Sequence, residues 1–78
     1  MSDVFGRKLR AYRKLKHWTQ SELAKEVGVS VAIIGSLERG TRIPTRDIIK
    51  KLENVLCVSE EELFGKDLDS ENTGLENA

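Results

Sequence analysis

A single cysteine, Cys57, rules out a disulfide within this chain, which fits a reducing compartment. No apolar run approaches the roughly 18 residues needed to span a bilayer. The first residues, MSDVFGRKLR, lack the apolar core of a signal segment. Together these absences predict a cytoplasmic protein with no membrane partner. There is one histidine, His17, and no cysteine, histidine or carboxylate stands at ligand spacing from it, so it reads as a surface residue and no metal is expected. No glycine-rich phosphate loop and no nucleophile–base constellation is present. The chain is therefore not expected to be an enzyme or to carry a cofactor. Aromatics are scarce: Phe5, Tyr12, Trp18 and Phe64 are all there are. Trp18, lying between two apolar segments, reads as a plug between helices rather than a base-stacking residue.

What remains is a short, highly charged chain. Its 78 residues make one domain, and a chain of this size buries only about 60% of its unfolded surface, which leaves little room for a catalytic pocket. The net charge of zero conceals a split. Residues 1–51 hold twelve Lys and Arg against five acids, a surplus of seven positive charges; residues 52–78 hold Lys66 against eight acids, the opposite surplus. The basic part suits phosphate binding, and the acidic end would favour solubility.

The pattern along the chain is helical throughout. Phe5, Leu9 and Tyr12 recur at helical spacing from about Val4 to Leu15, with Arg7, Lys8, Arg10, Arg13, Lys14 and Lys16 on the other faces. Thr19 to Glu22, T-Q-S-E, is a capping box that opens a second helix carrying Leu23, Ala24 and Val27. Gly28 suits the left-handed turn that ends it, and Ser30 caps a third helix running to about Arg39, with Ile34 and Leu37 inside and Gly40 as its stop. A helix, a tight glycine turn and a second helix make a helix-turn-helix, whose second helix can enter a DNA major groove. After the turn at Pro44, Thr45 caps a fourth helix with Ile48, Ile49, Leu52, Val55 and Leu56 as its apolar stripe. Ser59 to Glu62 starts a short fifth helix with Leu63 and Phe64. Those two side chains serve either the core or a dimer surface. Residues 1–65 form the domain, and 66–78, KDLDSENTGLENA, read as a flexible acidic tail with too little apolar surface to offset ordering.

These residues resemble the phage repressor, Cro and XRE-type DNA-binding family from Phe5 to Gly65. The likeness rests on T-Q-S-E-L-A-K-E-V-G-V-S, I-x-x-L-E-R-G, the proline four residues after that glycine, and L-x-V-S-x-x-x-L-F. It implies an all-α, five-helix, lambda-repressor-like domain that binds operator DNA as a homodimer. At matched positions it implies backbone contacts from Thr19, Gln20, Arg39, Arg42, Thr45 and Arg46. Groove contacts would come from Ser30, Val31, Ala32, Gly35 and Ser36. Ala24, Gly28, Ile34 and Leu37 would be helix-turn-helix scaffold, and Arg13 and Glu38 a structural salt bridge.

The chain departs from the family where bases are read. Relatives often carry Gln, Arg, Lys, Ser or Thr on the exposed side of the third helix, whereas here the stretch is VAIIGS. Val31 cannot pair with Gln20 as a glutamine could. Ser30, Ser36 and the long Arg39 are the polar readers left, while Val31, Ala32 and Ile33 can touch thymine methyl groups. Gly35 lowers helix propensity by about 0.5–1 kcal/mol relative to alanine and opens a close approach of the backbone. Two readings follow. One is a DNA-binding transcription regulator, a repressor by preference, that leans on methyl contacts and DNA shape. The other is a protein-interaction module, antitoxin-like or co-regulatory, that uses the apolar strip of the same helix. The basic half favours the first. With no room for an effector domain, control would come from the protein's own concentration, a regulatory protein partner, or removal. Glu53 and Cys57 stand where relatives usually have alanine and glycine; Cys57 reads as a small apolar filler, with a redox sensor as the alternative.

Overall fold

The computed structural model describes residues 3–65, and the expected acidic tail lies outside them. Five helices follow in order: α1 (Asp3–Leu15), α2 (Gln20–Val27), α3 (Val31–Arg39), α4 (Arg46–Leu56) and α5 (Glu60–Phe64). No strand occurs among the described residues. The all-α expectation holds, and the starts of α2 to α5 are made by the expected capping residues, while α1 begins at Asp3. Thr19 and Glu22 close a reciprocal capping box, with Glu22 N donating to Thr19 Oγ1 at 3.1 Å and Thr19 N to Glu22 Oε1 at 2.8 Å. Ser59 and Glu62 do the same for α5. The hydroxyls of Ser30 and Thr45 accept from Ile33 N and Ile48 N, both at 3.2 Å.

One cluster forms the core. Phe5 and Leu9 of α1 meet Leu23, Ala24 and Val27 of α2, Ile34 and Leu37 of α3, Leu52 and Leu56 of α4, and Leu63 of α5. Trp18 and Tyr12 are half-buried against this cluster, so Trp18 is the plug its position suggested. Leu63 is wholly buried within the single chain, and the Phe64 ring lies 5.0 Å from that of Phe5. Leu63 therefore packs in the core, and Phe64 is half-buried against it.

At the corner between α2 and α3, Gly28 takes φ 86°, and its N–H donates to the carbonyl of Ala24 at 2.8 Å. The left-handed turn that needs a glycine is thus where the sequence places one. Cys57 departs from expectation. It is exposed rather than a core filler, and it ends α4 in the same left-handed conformation at φ 59°, with its N–H on the carbonyl of Glu53. A side chain in that conformation costs roughly 1 kcal/mol or more relative to glycine. Cys57→Gly should therefore stabilise the domain by about 1 kcal/mol, a rise of about 4–8 °C in Tm for a domain of this size, read by thermal unfolding under reducing conditions.

Among the described residues no helix is long and apolar enough to cross a membrane. No group of three or more His, Cys, Asp or Glu there could hold a metal ion.

Candidate nucleic-acid interface

α3 has two unlike sides. Ile34 and Leu37 are fully buried, whereas Val31, Ala32 and Arg39 are exposed and Ser36 is half-buried. Val31 keeps 45% of its surface open. Ser30 is exposed beside it; its oxygen is taken by the cap, and its hydroxyl proton remains for donation. Ser36 offers its side chain near the middle of the helix, while its carbonyl accepts from Thr41 N and Thr41 Oγ1.

Capping shapes what surrounds this face. Thr19 and Glu22 satisfy each other's N–H groups, which leaves the N–H groups of Gln20 and Ser21 as first-turn donors of α2 without a helical acceptor. Together with the helix dipole they suit an anion. Thr45 gives α4 a similar start, and Arg42 and Ile43 are exposed in the loop before it, Ile43 at 83%. Arg46 lies at the same end but is held: its Nη1 donates to Glu60 Oε1 at 3.0 Å. Both side chains of that pair are open to solvent, where such pairs contribute at most about 1 kcal/mol, so a phosphate can exchange for Glu60.

Beneath the surface a polar network locks α1, α2 and α3 together. Arg13 Nε and Nη2 donate to the two oxygens of Glu38 at 2.6 and 3.1 Å, and Arg13 Nη1 donates to the Trp18 carbonyl at 2.9 Å. The side chains of Arg13 and Glu38 are only 10% and 4% exposed. The salt bridge implied by the family resemblance is present. The structure adds Gln20, whose Nε2 donates to Glu38 Oε1 at 3.0 Å. Gln20, expected only at the DNA backbone, is thus also a strut between α2 and α3.

Gly35 does not lie open. It is buried, and the Arg39 guanidinium covers it: a Cβ placed on Gly35 would stand 3.1 Å from Arg39 Nη1 and 3.8 Å from Gln20 Oε1. Sequence reasoning passed over another glycine, Gly6 in α1. A Cβ there would meet the backbone of Leu37 and Glu38 at 2.4–2.9 Å, so Gly6 is where α1 and α3 touch main chain to main chain. An isolated glycine inside an otherwise good helix was the available signal.

Comparison with known proteins agrees with this geometry. A family model described as helix-turn-helix matches residues 9–63. The chain is 47% identical over 62 residues to the HTH-type transcriptional regulator YazB of Bacillus subtilis, covering 80% of this chain and 90% of that protein. It is 32% identical over 72 residues to the HTH-type transcriptional regulator SinR of the same organism, covering 91% of this chain and 65% of SinR. Among solved structures, the restriction-modification controller protein C.AhdI from Aeromonas hydrophila superposes with a TM-score of 0.76 at 35% identity, covering 81% of this chain and 96% of that one. The clp gene regulator ClgR from Corynebacterium glutamicum gives 0.74 at 26% identity, covering 97% and 86%. The chain belongs to the helix-turn-helix family of transcriptional regulators.

Proposed function

We propose that this helix-turn-helix regulator binds operator DNA as a homodimer, with α3 in the major groove, and represses by occupying its site. The observation that carries the reading is the outer side of α3, with Val31, Ala32 and Arg39 exposed and Ser36 half-buried, followed in the chain by the exposed Arg42, Thr45 and Arg46. Thr19, Gln20, Arg42, Thr45 and Arg46 are assigned to the phosphates; Ser30, Val31, Ala32 and Ser36 to the groove. One α3 spans only a few base pairs, and two copies related by a two-fold axis would read half-sites about one helical turn apart.

Phosphate binding is electrostatic and releases counterions, so affinity should fall steeply with salt. About eight phosphates neutralised per dimer give a log–log slope near −7. In vitro selection from a random duplex pool supplies the ligand, and fluorescence anisotropy at several salt concentrations supplies the slope. Arg42→Ala should weaken binding to selected and scrambled duplexes alike and make the slope shallower by about 1 for each phosphate that is no longer neutralised. A flat salt response, or no duplex retained at low salt, would sink the DNA reading and favour a protein partner on the Val31–Ala32 strip.

A further inference from the structure

The α3 face is poor in groups that can read bases, yet one feature of the structure supplies a strong one. Side chains on a helix lean toward its N-terminus, over the turn before their own Cα. Arg39 does so, and its guanidinium lies across Gly35, one turn earlier, because residue 35 has no side chain to occupy that space. The second wall is Gln20. A carboxylate only accepts hydrogen bonds, so the bond from Gln20 Nε2 to Glu38 fixes which way the amide faces. Gln20 Oε1 is thereby turned to the same spot over Gly35 as the Arg39 guanidinium. Both groups thus line the space where a side chain at residue 35 would begin. Among the described residues Arg39 has no carboxylate within ion-pair distance, and its N–H groups are uncommitted.

We propose that Gly35 and Gln20 form a cradle that holds Arg39 over the centre of α3, where it reads a guanine in the major groove as the principal specificity determinant. This rests on the DNA-binding reading above and, of the two roles the sequence left to Arg39, backbone contact and polar reader, takes the second. Guanine presents O6 and N7 as a pair of acceptors that matches the planar arginine fork. Val31 and Ala32, short and apolar, leave that fork as the one large polar group on the exposed side of α3. Gly35 then supplies space for a neighbouring side chain, and Gln20 acts as a positioning residue.

The test uses the full chain on duplexes obtained by selection, with each guanine replaced in turn by 7-deazaguanine, which lacks N7, or by adenine. For the wild type, one guanine in each half-site should stand out, its replacement weakening binding by about 10- to 100-fold. Arg39→Ala should bind the selected duplex more weakly by a similar factor and become indifferent to that guanine. Arg39→Lys should recover affinity without recovering the preference. Gly35→Ala, with its fold checked by circular dichroism, should weaken the preference although Arg39 is intact, because the new Cβ, 3.1 Å from Arg39 Nη1, is too close for the fork to keep its seat. The inference is overturned if Arg39→Ala weakens selected and scrambled duplexes equally and only makes the salt slope shallower, which is the signature of a residue bound to phosphate. It is overturned equally if Gly35→Ala keeps the full preference. Should the wild type bind no duplex at all, the DNA reading itself falls and this inference with it, an outcome distinct from the other two.

Discussion

An Arg13→Ala variant should lose about 3–5 kcal/mol of folding stability, because truncating one partner of a buried ion pair leaves the other charge uncompensated. Glu38 would be that charge: its side chain is 4% exposed, and only the amide of Gln20 would remain to it. The Trp18 carbonyl would also lose its donor, Arg13 Nη1. Native proteins are stable by only about 5–15 kcal/mol in all, so this loss is a large fraction of the whole. Urea denaturation followed by Trp18 fluorescence and by circular dichroism measures the loss. The contrast that isolates the mechanism is Arg13→Met combined with Glu38→Leu. Removing both charges together should recover much of the stability, since an apolar pair carries no desolvation cost. A loss under about 1 kcal/mol for Arg13→Ala would mean that water reaches Glu38 freely, as at a surface pair.

The second large effect is expected at Gly6. Alanine is the better helix former by about 0.5–1 kcal/mol, so propensity alone predicts that Gly6→Ala stabilises α1. The added Cβ would fall 2.4 Å from the Glu38 carbonyl oxygen and 2.8 Å from that of Leu37, and backbone cannot yield by changing rotamer. α1 must instead back away from the end of α3, which stretches the Arg13–Glu38 bonds two turns further along α1. Overpacking of this kind typically costs 1–3 kcal/mol, and a net loss of about 2 kcal/mol is expected. Gly35→Ala serves as the control. Its Cβ meets the far ends of two flexible side chains, Arg39 and Gln20, and no backbone, so the same substitution in another helix should be neutral or slightly stabilising. Opposite signs at the two glycines, read by thermal unfolding, would separate backbone contact from helix propensity. Equal signs would rule out the close approach of α1 and α3.

Legibility in the sequence follows the distance over which each interaction closes. The capping boxes at Thr19–Glu22 and Ser59–Glu62 and the single caps at Ser30 and Thr45 are legible because each closes within three residues. The buried stripes Leu23–Ala24–Val27 and Ile49–Leu52–Leu56 are legible because periodicity alone assigns an inner face. Arg13 with Glu38 is available only through family likeness, since 25 residues separate them. Cys57 is not the core filler its apolar character suggests. Its left-handed turn is legible only through family likeness, since relatives usually carry glycine there and cysteine itself signals no such turn.

By itself, then, the sequence determined the five helices, the glycine corner at Gly28 and which side of α3 is buried, since these depend on hydrogen bonds and apolar spacing within a few residues. The tertiary structure alone decided how the recognition surface is equipped. It turned the amide of Gln20 toward Glu38, 18 residues away, and tied Arg46 to Glu60, 14 residues away. It also set Gly6 against the main chain of α3 and laid Arg39 over Gly35. The physical reason is that a side chain's hydrogen bonds, and the room a missing Cβ provides, are determined by whatever helix the fold brings opposite, and no local pattern along the chain encodes that neighbour.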